Sequence, residues 1–199
     1  MRLSNQRYEE IKIEIANLLE DYNVRELPID VFALAKKTNV KIIFASELLG
    51  KYPKKLNEYM IFTYPDSYLV YNQTLQQFVI YLDDIGTKKK RQRFSLAHEL
   101  MHIVLGHFEQ NAQNEAEANF GATYLLAPTS LALIEQKEYY LLDPEMISKI
   151  FDVSMSESQI VARYNSKRLS IGIFEELPYE KVINDLLRDS LLININRSL

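Results

Sequence analysis

The fold class of this chain is decided by one stretch, FSLAHELMHIVL, which spans residues 94–105. It places His98 and His102 four residues apart, so that on a helix both side chains lie on one face, one turn apart. Two imidazoles arranged in this way can bind the same metal ion, and Glu99 lies beside them. The surrounding apolar residues predict that this helix is buried, as a metal-binding helix inside a core must be.

The chemistry that this pattern indicates is zinc-dependent hydrolysis of a peptide bond. A zinc ion lowers the pKa of a bound water molecule towards neutrality and polarises the carbonyl group under attack. We interpret Glu99 as the general base, which accepts the proton of that water and passes it to the leaving amine. The chain has no cysteine, so a zinc ion would need histidine and carboxylate ligands. Disulfides and thiol nucleophiles are excluded for the same reason.

A catalytic zinc site usually has three protein ligands, so a third ligand is expected beyond His98 and His102. In the metzincin pattern a third histidine follows the second at a position that is Phe108 in this chain. His107 misses that position by one residue. The metzincin pattern is therefore excluded, and a glutamate from a second helix is the remaining common solution.

Two glutamates near the start of the next predicted helix are candidates for the third ligand. Glu115 and Glu117 are two residues apart, about 200° around a helix, so only one of them can face the metal. Glu115 shares its face with small residues such as Ala118 and Ala122, which suits close packing on the first helix. We therefore predict Glu115 as the ligand and keep Glu117 as the alternative.

Two other polar residues near the predicted site have less specific patterns. Asn119 follows Glu115 by one turn and is placed to orient a ligand histidine, with an ordinary buried amide as the alternative. His107 is interpreted as a structural residue or a cap at the helix C-terminus, with contact to substrate as the alternative.

Apolar spacing in the first part of the chain predicts two helices followed by a small sheet. The helices are expected at about 5–22 and from Pro28 to about Lys37, because proline is favoured at the first helical position. Four stretches rich in aromatic and β-branched residues predict strands, the last three of them antiparallel, at 40–44, 59–64, 68–71 and 78–82.

The rest of the chain is expected to be mostly helical. Predicted helices span about 89–106, 113–126, 128–138, 144–151, 156–168 and 179–192, and a short strand is predicted at 170–174. A small sheet followed by a run of helices indicates an α+β fold.

Composition limits the function classes. With 199 residues, 47% hydrophobic and 25% charged, the chain is large enough for one domain with a substantial core. A net charge of -4 disfavours direct binding of nucleic acid, which usually needs a basic face. No apolar run reaches the length of a membrane span and the N-terminus has no apolar signal core, so we expect a cytoplasmic protein.

Two blocks of this sequence resemble the ImmA/IrrE family of metallopeptidases. The first is FSLAHELMH, residues 94–102, and the second is EAEANFGATYLLAP, residues 115–128. The second block is similar to the family's Glu-x-x-Ala-Asn/Asp-x-Phe-Ala segment, which ends in Leu-Leu-Met-Pro. Residues 27–35 and 150–154 also resemble the family, and the resemblance covers roughly residues 5–170.

The sequence departs from the family's usual pattern at three positions. Met101 stands where glycine is common, and Gly121 and Ala127 stand where alanine and methionine are common. None of these departures removes a predicted ligand.

The resemblance implies a zincin-like α+β fold in which the helix of His98 and His102 packs on a second helix that carries the ligand Glu115. It implies a peptidase domain over residues 1–170, which includes a helix-turn-helix-like segment at 143–168. The remaining residues 171–199 are expected to form a helical tail that packs on the domain or offers a partner surface.

The resemblance also implies a partner. Members of this bacterial family commonly cut or inactivate a repressor with a Cro-type DNA-binding domain, in mobile elements, phage immunity or stress responses. We therefore expect a zinc-dependent, site-specific endopeptidase that cleaves a transcriptional repressor. One alternative is a zinc-containing antirepressor or sensor that binds the regulator without cutting it. A second is a DNA-binding regulator that uses residues 143–168.

Overall fold

The computed structural model of the protein describes residues 2–51, 66–135, 139–172 and 176–198. The strand predicted at 59–64 lies outside these residues.

Two helices open the chain. Helix α1 (Asn5–Asp21) begins after Ser4, whose hydroxyl accepts a hydrogen bond from the main-chain N–H of Arg7. Helix α2 (Val31–Lys37) begins three residues later than the predicted start at Pro28. The reason is Asp30, whose carboxylate accepts hydrogen bonds from the next free main-chain N–H groups and so acts as the N-cap.

A small sheet packs against the predicted site helix. Strand β1 (Lys41–Phe44) leads into helix α3 (Ala45–Lys51), and strands β2 (Ser67–Asn72) and β3 (Gln77–Leu82) form a hairpin. The strand order in the sheet is β1-β3-β2. The predicted antiparallel pairing of the last two strands is confirmed, whereas β1 pairs with β3 in parallel. In the central strand β3, the side chains of Val79 and Ile80 point to opposite faces of the sheet, and both are buried. The sheet is therefore covered on both faces at this strand.

Helix α4 (Lys89–Val104) carries the predicted histidines and packs on both the sheet and helix α5 (Ala112–Leu126). Helix α4 ends in a Schellman turn: the N–H of Gly106 donates to the carbonyl of Ile103, and the N–H of His107 donates to the carbonyl of His102. Gly106 has φ +67°, a left-handed conformation that glycine adopts at little cost.

The helix predicted at 128–138 is wrong over residues 128–135, and residues 136–138 lie outside the described part. A short 3-10 helix (Thr129–Ala132) is followed by an antiparallel pair, strand β4 (Leu133–Glu135) and strand β5 (Tyr139–Leu141). Periodicity cannot separate a helix from a strand in so short an apolar run, and pairing with a second aromatic-rich segment decides the outcome here.

The C-terminal part is built from three helices. Helix α6 (Pro144–Ile150) and helix α7 (Met155–Ser170) are joined by a short turn, and Ser154 with Glu157 forms a capping box at the start of α7. The segment 143–168 therefore contains two helices and a turn in the expected order, and its likeness to a repressor fold stays a prediction. Ser170 belongs to helix α7 and residues 171–172 to a turn, so the strand predicted to begin at 170 is wrong there. Residues 173–175 lie outside the described part.

The tail forms helix α8 (Pro178–Ser198), which packs on α1 and on α6. Its apolar residues Ile183, Leu187 and Leu191 are buried in the same core as α1. An ion pair between Arg168 and Glu180 also joins the tail to α7. Within the described ranges, no helix combines the length and the hydropathy that crossing a bilayer would need.

Candidate metal centre

The structure brings the three predicted ligands to one point. The Nε2 atoms of His98 and His102 lie 3.0 Å apart on the same face of α4. Glu115, in the first turn of α5, places its carboxylate oxygens 3.4 Å from Nε2 of His98 and 3.5 Å from Nε2 of His102. Side chains from helices α4 and α5 thus converge, as expected if the histidine helix packs on the helix that carries Glu115.

The spacing of these atoms fits a zinc ion. Three ligand atoms bound tetrahedrally at about 2.0–2.1 Å from zinc lie about 3.4 Å from one another. The candidate ligand atoms of His98, His102 and Glu115 all lie within 4.8 Å of one another, at the 3.0–3.5 Å separations given above. Two imidazole nitrogens with one carboxylate oxygen are also one of the ligand sets found in catalytic zinc sites.

The environment keeps both histidines in the form that binds metals. Burial lowers the pKa of His102, and the neighbouring rings of His98 and His107 lower it further, to about 4. Burial also lowers the pKa of His98, although the Glu115 carboxylate and the Asn119 side chain oppose this shift. Near pH 7 both imidazoles are therefore neutral and can offer a lone pair to a cation.

Glu99 is buried beside the ligands and has a defined hydrogen-bond partner. Ser67, the first residue of β2, donates its hydroxyl proton to Oε1 of Glu99 at 2.8 Å. Burial raises the pKa of Glu99 to about 7, although the bond from Ser67 opposes the shift. A carboxyl group with a pKa near neutrality exchanges protons efficiently at neutral pH, which suits a general base.

An open cleft of about 660 Å³ surrounds these residues. Its walls come from the start of β2, from one face of α4, from the loop before α5 and from the first turns of α5. Phe108 stands at the rim with 89% of its surface exposed. At the mouth, Nε of Arg91 donates to the carboxylate of Asp66 at 2.8 Å. The cleft is large enough for an extended peptide segment.

Glu117 lies away from the three clustered ligand atoms. Its side chain is 2% exposed and contacts Arg7 and His107. Burial disfavours its charge, but hydrogen bonds from Arg7, Gln113 and His107 outweigh this and lower the pKa of Glu117 to about 2. The choice of Glu115 over Glu117 from the helical face therefore agrees with the geometry.

Asn119 is exposed, so the alternative of a buried amide is wrong. Its Nδ2 donates to the main-chain carbonyl of Glu115 at 2.7 Å. The side chain lines the cleft beside His98, where it favours the charged imidazole. The predicted role of Asn119 in orienting a histidine stays a prediction.

Sequence reasoning missed two residues: Ser67, which contacts the candidate base Glu99, and Arg7, which contacts Glu117. Ser67 reaches Glu99 across 32 residues of sequence, and Arg7 reaches Glu117 across 110 residues. Neither residue stands in a motif, and no periodicity links them to the histidines, so nothing in the sequence pattern pointed to them.

Two of the departures from the family's pattern compensate each other. Gly121 of α5 faces Met101 of α4, and a Cβ atom placed on Gly121 would lie 3.0 Å from both Cγ and Cε of Met101. The larger residue on one helix is thus matched by the smaller residue on the other.

One comparison with known proteins identifies the family of the chain. The family model described as the IrrE N-terminal-like domain of the peptidase M78 family matches residues 35–162, which include the three clustered residues and Glu99. No curated protein matches the sequence significantly. Since the family model spans more than half of the chain, the protein belongs to the IrrE N-terminal-like family of M78 peptidases.

Proposed function

We propose that this protein is a zinc-dependent, site-specific endopeptidase that cleaves a transcriptional repressor in the cytoplasm. The observation that carries the proposal is the convergence of His98, His102 and Glu115 within 4.8 Å. Glu99 lines the same cleft and is buried against Ser67, which supports its proposed role as general base.

In this proposal His98, His102 and Glu115 hold the zinc ion. When bound, zinc supplies a more acidic water molecule and polarises the scissile carbonyl group. Ser67 holds Oε1 of Glu99, which fixes the plane of the carboxylate. Glu99 then accepts the proton of the attacking water and returns it to the nitrogen of the leaving amine. The cleft walls hold the peptide in an extended form, with the scissile bond beside Glu99.

The catalytic part of the proposal is tested by Glu99→Gln. Because only the base is lost, we expect this variant to bind zinc like the wild type and to lose at least about a hundredfold in kcat, in line with the usual contribution of a general base. Metal content by mass spectrometry and cleavage of a protein substrate measure the two properties separately. Glu115→Ala is the matched control, since it should lose zinc and activity together. A Glu99→Gln protein that still cleaves would overturn the proposed role.

The substrate part rests on the open cleft and on the resemblance to repressor-inactivating peptidases. A tagged Glu99→Gln protein, expressed in the source cell, should trap the substrate without cutting it. Capture of a helix-turn-helix regulator that the wild type cleaves at one site would support the proposal. A regulator that is captured but never cleaved by the zinc-loaded wild type would favour the non-cleaving antirepressor instead.

Direct DNA reading through residues 143–168 is disfavoured by the net charge of -4. Salt-dependent binding of duplex DNA by the purified protein would favour this alternative.

A further inference from the structure

We propose that His107, Glu117 and Arg7 form a relay that fixes the ring orientation and the tautomer of His102. This proposal rests on the proposed metal site, because it assigns positioning residues to one of that site's ligands. The relay lies on the side of His102 that faces away from the other ligands.

The relay is continuous in its distances. Nδ1 of His102 lies 3.0 Å from Nδ1 of His107, and Nε2 of His107 lies 3.0 Å from Oε2 of Glu117. The same carboxylate oxygen accepts a hydrogen bond from Arg7 at 2.5 Å. Gln113 donates to the other oxygen, Oε1, at 2.9 Å, so both oxygens of Glu117 are held.

The two inner residues of the relay, His107 and Glu117, are also shielded from water, whereas Arg7 has 30% of its side chain exposed. The side chain of His107 is 5% exposed and that of Glu117 is 2% exposed. Hydrogen bonds between buried groups hold their geometry more strictly than exposed ones, since water does not compete for the same donors and acceptors. A rigid chain of this kind can hold the ring of His102 in one position.

The geometry allows one consistent direction for the protons. If His102 offers the lone pair of Nε2 to a metal ion, its single proton must lie on Nδ1, which then donates to Nδ1 of His107. His107 must accept at Nδ1, so its own proton lies on Nε2 and is donated to Glu117. The carboxylate of Glu117 accepts this hydrogen bond from His107 and a second one from Arg7. Each link thus requires the next, and the far end is an arginine, which has no alternative protonation state.

Local structure explains how His107 reaches this position. The Schellman turn at Gly106 reverses the chain, and the main-chain N–H of His107 donates to the carbonyl of His102 at 2.9 Å. The ring of His107 is thereby brought beside the ring of His102, with centroids 5.1 Å apart. The earlier interpretation of His107 as a residue at the helix C-terminus agrees with this turn, but the relay gives its ring a further role.

His98 is held less closely than His102. Its Nδ1 is buried and has no hydrogen-bond partner in the described part of the chain, although the Asn119 side chain interacts with the imidazole. The relay therefore concerns the orientation of His102 alone. Since partners that orient a ligand typically change metal affinity by 10–100-fold, their loss should be measurable without any substrate.

The test is the zinc affinity of relay variants, measured by competition with a chromophoric chelator. His107→Leu removes both links, so we expect zinc to bind 10–100-fold more weakly. His107→Gln retains an acceptor for His102 and a donor for Glu117, so it should bind zinc within about threefold of the wild type. Rescue by glutamine but not by leucine separates positioning from simple space filling.

A matched pair of variants controls for general destabilisation. Glu117→Ala and Glu180→Ala each remove a carboxylate that is 2% exposed and leave its arginine partner behind. Both should lower the unfolding temperature of the protein, but only Glu117→Ala should weaken zinc binding. Equal zinc affinity in all four variants and the wild type would overturn the relay.

Long-range ¹H–¹⁵N NMR of the zinc-loaded wild type provides a readout that does not depend on any variant folding. We expect protons on Nδ1 of His102 and on Nε2 of His107. A proton on Nδ1 of His107 would overturn the proposed direction. If instead the wild type binds no zinc, the proposed function itself fails, and that outcome is distinct from a failure of the relay.

Discussion

At the scale of single residues, the contact between Ser67 and Glu99 tunes the candidate base. The hydroxyl of Ser67 donates to Oε1 of Glu99 at 2.8 Å and so favours the carboxylate, against the effect of burial. Without this bond, burial would raise the pKa of Glu99 further. The activity of the protein should therefore depend on a residue that stands outside every motif in the sequence.

We expect Ser67→Ala to shift the acidic limb of the pH profile of kcat/KM upward by about one to two pH units, since a hydrogen bond to a charged group contributes about 1.5–3 kcal/mol and one unit corresponds to about 1.4 kcal/mol. The sign follows from the protonation of the base: below its pKa Glu99 is protonated and inactive, so the variant loses most activity near pH 6 and least well above pH 9. A pH–rate profile with the cleaved substrate measures the shift. Ser67→Thr, which keeps the hydroxyl, is the control, and an unshifted profile in the alanine variant would contradict the assignment.

At the scale of elements, the pair of helices α4 and α5 is matched in shape. Met101 fills the space that a side chain at Gly121 would need, and both positions lie on the buried surface between the helices. The ligands sit on the same two helices, so the spacing of the pair also sets the distance between Glu115 and the histidines.

A double-mutant cycle tests this match. In the wild type we expect Gly121→Ala to destabilise the protein by about 1–3 kcal/mol, because overpacking outweighs the gain of about 1 kcal/mol in helix propensity. In a Met101→Ala background the clash is absent, and the same change should become neutral or stabilising. Urea unfolding of the four proteins gives the coupling energy. The same cost in both backgrounds would show that the two residues do not interact.

At the scale of the whole molecule, the C-terminal helix belongs to the same core as the site. Helix α8 packs on α1, and Tyr179 of α8 donates a hydrogen bond to Glu9 of α1. Helix α1 in turn places Arg7 on Glu117 and Tyr8 against Phe120, with ring centroids 4.6 Å apart. The tail thus supports the ligand helix α5 through α1.

This arrangement predicts that the tail unfolds together with the rest of the protein. Leu187 is fully buried, so Leu187→Ala should lower the free energy of unfolding by about 2–5 kcal/mol and keep a single transition. Leu192→Ala on the same helix is the control, because Leu192 is 39% exposed and its loss should cost less than about 1 kcal/mol. Denaturation followed by circular dichroism and by calorimetry measures both. A separate early transition for the tail would contradict a shared core.

The errors in the predicted elements have a common cause. The segment after Pro128 and the segment near Ser170 are short and flanked by turns, so local periodicity does not distinguish helix from strand there. Longer amphipathic segments, such as those that form α1 and α4, were predicted with bounds close to the observed ones, because many residues repeat the same period.

By itself the sequence was enough to predict which residues form the candidate centre. Spacing of four residues places His98 and His102 on one face of a helix, and helical geometry together with the family resemblance selected Glu115 over Glu117. These relations are local, so they follow from the helix alone. Only the tertiary structure decided that Ser67 holds Glu99, that Arg7 and His107 meet at Glu117, and that α8 closes the core over α1. Those contacts join distant segments, and they arise from the packing of helices and sheet, which no local repeat encodes.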